Sequence, residues 1–142
     1  MRKPTEVLLV MAPERRRQLL SNLESLEVDV FVARDCRQAR RVLAEHPDIA
    51  VVLSDLTHPD GNWCDLLKHL VDRGFEASLV VVSTAVDERL CSEVVWRGAY
   101  DLLPDPYEPW EVQQVLEGAI RASRHQRSAA SATSRHGELI EA

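Results

Sequence analysis

The stretch Pro47-Asp48-Ile49-Ala50-Val51-Val52-Leu53-Ser54-Asp55-Leu56-Thr57-His58-Pro59-Asp60-Gly61 joins a strand to a tight loop. Ile49 to Leu53 is an unbroken apolar run, the pattern of a strand covered on both faces in a parallel sheet. Pro59 and the Asp60-Gly61 pair carry turn chemistry: a preset φ, a side chain that bonds its own backbone, and a residue free of Cβ. Between run and turn stand Ser54 and Asp55, polar residues at the carboxyl end of the strand. A strand buried on both faces requires parallel neighbours and a helical layer on each side.

The rest of the chain supplies both. Upstream, Glu6 to Met11 is a second nearly continuous apolar run. Pro13 suits the first turn of a helix that places Leu19, Leu20, Leu23 and Leu26 on one face. Arg15, Arg16, Arg17 and Glu24 fall on the opposite face and read as solvated surface. Val28 to Ala33 alternates as a strand does, and Asp35 is placed to cap a helix with Ala39, Val42 and Leu43 inward. Downstream, a helix buries Leu66, Leu67, Leu70 and Val71 and ends at Gly74, a plausible C′ residue. Leu79 to Val82 is a fourth strand, and Asp87 to Arg97 a helix stopped by Gly98. Tyr100 to Leu103 is a fifth strand, and the last helix runs roughly from Glu108 to Arg124. The expectation is an α/β fold: one doubly wound (βα)5 domain, flavodoxin-like, with a five-stranded parallel sheet. In such sheets ligands bind at the carboxyl ends of the strands, near the point where strand order reverses. Residues 1–124 form this domain. Residues 125–142, with Ser128-Ala129-Ala130-Ser131-Ala132-Thr133-Ser134 and no core-forming pattern, read as a flexible tail or linker.

Composition narrows the function classes. The 142 residues carry a formal charge of −6, with 45% hydrophobic and 28% charged residues. Carboxylates outnumber Lys and Arg, so no nucleic-acid partner is expected. The apolar runs are too short for a membrane span, and the N-terminus lacks the form of a signal peptide. Cys36, Cys64 and Cys91 are odd in number and widely spaced, which fits free thiols in a reducing cytoplasm better than a zinc site or disulfide framework. His58 and His69 lack ligand spacing and read as surface.

The segment quoted first resembles the third strand and loop of bacterial response-regulator receiver domains. Val80-Val81-Val82-Ser83-Thr84-Ala85 resembles their fourth strand with its hydroxyl residue, and Gly98-Ala99-Tyr100-Asp101-Leu102-Leu103-Pro104-Asp105-Pro106-Tyr107 their fifth. The resemblance covers about residues 5 to 124. It implies a phosphoacceptor at Asp55, charged by a histidine kinase, with Thr84 in the phosphate and switch position. It also implies that Mg²⁺ is held by an acidic pair after the first strand, and that a Lys follows the fifth. Here the acidic pair falls on Met11 and Ala12, and the Lys position on Asp105. An anionic nucleophile attacking an anionic phosphoryl group needs compensating cations, so these departures bear directly on the chemistry. Asp55 then faces Asp105 with no evident cation between them, and one of two such carboxylates should bind protons more readily.

Other assignments follow from the same frame. Asp55 and Asp105 are the pair that could join around a divalent cation, with Glu14 one step further along, although a solvated loop acid is the simpler reading of Asp105. Thr84 serves equally well as the N-cap of the helix after it. Trp63 stands where its ring could lie over the loop beside Asp55. Trp96, Tyr100, Tyr107 and Trp110 fall on the fourth helix, fifth strand and fifth helix, the face receivers use for partners and for homodimers. The resulting expectation is a non-enzymatic, receiver-like signalling domain of a two-component phosphorelay. It acts by protein–protein recognition with a degenerate site and without a cofactor. The alternative is an active phosphoacceptor at Asp55 using an unorthodox Mg²⁺ site. A flavodoxin-like ligand binder is the least supported, since Met11-Ala12-Pro13 occupies the turn where a Gly-rich phosphate loop would lie.

Overall fold

The computed structural model describes residues 3–141, with side chains described as far as residue 126. Its strands are β1 (Thr5–Val10), β2 (Val28–Ala33), β3 (Val51–Asp55), β4 (Thr57–His58), β5 (Gly61–Asn62), β6 (Ser78–Ser83) and β7 (Asp101–Pro104). Its helices are α1 (Pro13–Glu24), α2 (Cys36–Glu45), α3 (Trp63–Asp72), α4 (Glu88–Arg97) and α5 (Pro109–Glu141). Five strands form one parallel sheet in the order β2-β1-β3-β6-β7. The strands expected fourth and fifth are therefore β6 and β7. The loop read as a plain turn folds into an extra antiparallel ribbon, β4–β5, with Thr57 opposite Asn62 and His58 opposite Gly61.

The two-sided burial inferred for the central strands divides the core by residue parity, because successive strand side chains point to opposite faces. Leu8, Val10, Val52, Leu79 and Val81 pack under α2, α3 and α4 with Leu43, Leu66, Leu70 and Val94. Val7, Leu9, Val51, Leu53, Val80 and Val82 pack under α1 and α5 with Leu19, Leu23, Val112 and Leu116. Strand order reverses between β1 and β3, which brings the carboxyl ends of those strands together at the switch point.

Helix starts follow their capping residues. Asp35 accepts from Gln38 N at 2.8 Å, Asp87 from Leu90 N at 2.8 Å, and Asn62 with Asp65 forms a capping box at α3. Thr84 is therefore not the cap of α4; Asp87, three residues on, takes that role. Gly98 ends α4 with φ 100°, a left-handed conformation that side chains resist. At the other end of the chain α5 continues past Arg124, where periodicity ends it, to Glu141. The stretch read as a flexible tail or linker has a helical backbone. Ala129, Ala130 and Ala132 favour helix, and no Pro interrupts the run.

Candidate functional site

β3 carries Asp55 to the mouth of the switch point, 7% exposed, while Ser54, completely buried, points to the opposite face. The Ser54 hydroxyl donates to the Asp55 carbonyl at 2.8 Å and lies 2.8 Å from His58 Nε2. Since that hydroxyl has one proton, the His58 ring donates to it from Nε2. Burial holds His58 below its ordinary pKa, favouring the neutral ring. His58 is thus a strut that fastens the β4–β5 ribbon beneath Asp55, not a surface residue.

The side chain that defines the site is Arg15, in the first turn of α1. Its Nε donates to Asp55 Oδ1 at 2.9 Å, and Nη2 lies 2.8 Å from the same oxygen. Nη1 lies 3.5 Å from Asp105 Oδ2, across the gap between β3 and β7. Asp105 follows β7, and its backbone N–H donates to the Ser83 carbonyl. The reading of Arg15 as a solvated surface residue is therefore corrected, and so is the expectation that no cation separates the two carboxylates. The hydrogen bond to Asp55 raises the Arg15 pKa further, so the guanidinium stays charged. Arg16 leans back towards the Met11 carbonyl at 3.5 Å, and Arg17 is exposed.

A pocket of about 300 Å³ opens at this point, lined by Ala12, Arg15, Asp55, Leu56, Thr57, Val82, Ser83 and Thr84. Thr84 faces it, whereas the buried Ser83 spends its hydroxyl on Ala85, accepting from its N–H at 3.1 Å. Met11 is completely buried in the core under α1 and α5 and does not line the pocket. Ala12 lines it but brings no donor atom from its side chain. Glu14 is exposed and lies outside the lining. Among the described residues no three His, Cys, Asp or Glu side chains gather as a metal site would require. A divalent cation at Asp55 and Asp105 would have to displace Arg15.

The aromatic residues divide differently from the grouping read in the sequence. Trp63 is 4% exposed and packs in the α2–α3–α4 core, not over the loop beside Asp55. As the first residue of α3, directly after the Asn62 cap, it turns inward. Tyr107 is also buried, so its ring is not part of an exposed partner face. Burial, and then the charge of Asp105, push its pKa up to about 12. Tyr100 is exposed, its hydroxyl lying over Gly118 of α5, where a Cβ would collide with it. Trp110 and Trp96 are exposed, but Trp96 turns towards α3, where it lines a groove with Val71.

No family model matches the chain. It is similar to the response regulator protein PilR of Pseudomonas aeruginosa, 25% identical over 109 residues, covering 77% of this chain and 24% of that one. It is similar to the transcriptional regulatory protein FixJ of Rhizobium meliloti, 28% identical over 102 residues, covering 70% of this chain and 48% of the relative. The chain thus spans a quarter to a half of the length of these curated relatives. The fold matches the signal receiver domain of an HD domain-containing protein from Pseudomonas fluorescens Pf-5, with a TM-score of 0.78 and 22% identity, over 90% of this chain and 94% of that one.

A five-stranded parallel sheet of this order, with an aspartate at the carboxyl end of its central strand, defines a flavodoxin-like receiver fold. In fold and in sequence the chain is similar to the response-regulator receiver domains of two-component systems. No helix among the described residues is long and apolar enough to cross a membrane.

Proposed function

We propose that this receiver domain works by protein–protein recognition, with its phosphorylation site held shut by its own arginine. The observation that carries this reading is the position of Arg15, bonded to Asp55 and close to Asp105. The oxygen of Asp55 that accepts two N–H groups has its lone pairs committed, which lowers its power as a nucleophile. Freeing it means separating opposite charges, at a cost of about 1 to 4 kcal/mol depending on how far solvent screens the pair. Met11 and Ala12 offer no oxygen side chain for Mg²⁺, and Asp105 adds negative charge where the resemblance implies Lys. Recognition then falls to the surface.

Around Trp110 the chain from Asp101 to Glu117 holds five carboxylates and no Lys, Arg or His. Such a face suits a basic segment of a histidine kinase or another signalling protein. The helical backbone after residue 124 fits a linker to a neighbouring domain, and a two-component role fits a cytoplasmic location. No enzymatic activity and no cofactor belong to this reading.

A second reading is an active phosphoacceptor, favoured by the shared pocket of Asp55, Thr84 and Arg15. There Arg15 would turn from Asp55 to the incoming phosphoryl oxygens, with Mg²⁺ as cofactor. Incubation with Mg²⁺ and acetyl phosphate separates the two. We expect no mass increase in the intact chain. A Mg²⁺-dependent increase that Asp55→Asn abolishes would replace the first reading with the second.

A further inference from the structure

α3 and α4 leave an open groove of about 400 Å³ between them, away from the Asp55 pocket, lined by Cys64, Leu67, Lys68, Val71, Asp72, Trp96 and Arg97. Two of its apolar side chains stand largely in solvent, with Trp96 88% and Val71 71% exposed. Neither Trp96 nor Val71 adds to the core, so folding stability gives no reason for them to be apolar. Isolated exposed apolar residues are ordinary; a Trp and a Val exposed along one groove mark an association surface.

The charges around the groove indicate the occupant. Lys68 pairs with Asp72 at 3.0 Å along α3, and Arg97 with Glu93 at 3.1 Å along α4. Arg97 and Glu93 both act electrostatically on Cys64 of α3, which places the two pairs on facing walls. The two ion pairs therefore give the groove charges of both signs on each side, within a chain of net charge −6. A two-fold contact brings every patch against itself, so each charge must find its opposite within the same patch. This patch satisfies that condition. The Asp101 to Glu117 face does not, because two copies meeting there would set carboxylates against carboxylates.

We infer that the α3–α4 groove is the contact through which two copies of this chain pair. Trp96 of each enters the other's groove against Val71 and Leu67, and Lys68 and Asp72 of each face Glu93 and Arg97 of the other. This pairing is independent of the state of Asp55. It also departs from the homodimer through the fourth helix, fifth strand and fifth helix that the resemblance suggests.

Sedimentation equilibrium of the full chain over micromolar to millimolar concentrations tests it. The wild-type chain should form dimers and no larger species. Trp96→Glu and Val71→Glu alter exposed residues and should leave the melting temperature unchanged. Each should weaken the dimer by about 30-fold or more, as expected for loss of a buried anchor. Trp110→Glu should leave the association constant unaltered. A chain monomeric throughout would overturn the inference. So would a dimer indifferent to both groove variants, or one that Trp110→Glu disrupts.

Discussion

Arg15 is where one side chain changes the meaning of its neighbours. Asp55 is nearly buried and Asp105 partly so, and a guanidinium bonded to the first and close to the second replaces repulsion with attraction. Arg15→Ala leaves Asp55 without its charged donor, and hydrogen bonds to charged groups carry about 1.5 to 3 kcal/mol. The variant should melt earlier in a thermal scan. The two uncovered carboxylates should then bind Mg²⁺ or Mn²⁺ where the parent chain does not. Titration calorimetry of Arg15→Ala would detect this, and an absence of cation binding would show that Arg15 does not occupy a latent metal site. Arg15→Lys is not equivalent, since an ammonium cannot present the planar fork that reaches both acids. The bridge is hard to see in a sequence. Arg15 stands in a run of three arginines, and such runs usually face solvent. The one available signal was the pair of acids expected at the strand ends without a cation, with Arg15 the first basic residue after β1.

Between elements, the loop after β3 is held by more than its own turn. Asp60 accepts from the N–H groups of Cys36 and Arg37 at 2.8 and 3.0 Å, closing the β4–β5 ribbon onto the start of α2. These bonds depress the Asp60 pKa below its ordinary 3.8, the Cys36 N–H having the largest effect. A depressed folded-state pKa means stability that is present above the unfolded value and lost as pH falls through the folded value. Asp60→Asn should be less stable than the parent at neutral pH. The gap should narrow below about pH 4, once the parent's Asp60 is protonated too. Denaturant midpoints at neutral and acid pH would check this, and a gap independent of pH would refute it.

At the opposite edge, Gly118 leaves room for the Tyr100 hydroxyl. Gly to Ala within a helix normally adds about 1 kcal/mol. Gly118→Ala should show little of that gain while Tyr100 is present and recover it in the Tyr100→Ala background. Equal effects in both backgrounds in a double-mutant cycle would show that the two residues are uncoupled.

Across the whole molecule, the two-sided core buries titrating groups on each face of the sheet. Cys36 lies in one cluster and Tyr107 in the other, and burial is the first cause raising each pKa to about 12, from 9.0 and 10.0. Between the ordinary and the raised values the folded chain holds protons that the unfolded chain has released. Stability therefore falls as pH rises from about 9 towards 12. Tyr107→Phe should flatten the part of that decline above pH 10, by roughly 2 kcal/mol at pH 12. Urea unfolding at a series of alkaline pH values measures the slope, and an unchanged slope in Tyr107→Phe would count against the assignment.

The sequence by itself determined the architecture, and the reason is local. Unbroken apolar runs such as Ile49 to Leu53, helix repeats such as Leu19, Leu20 and Leu23, and stops such as Gly98 each act within a few residues. Together they leave little freedom beyond a parallel sheet between helices. It also placed Asp55 and Thr84 at strand ends, where the pocket forms. Only the tertiary structure decided what surrounds Asp55. Arg15 is 40 residues from it in the chain and bonds it because α1 begins directly above the carboxyl end of β1, beside β3. The same is true of the aromatics: Trp63 and Tyr107 turned inward, while Trp96 turned to α3. Which side of a helix meets a neighbour depends on how helices cross the sheet, and that is set by packing among distant segments.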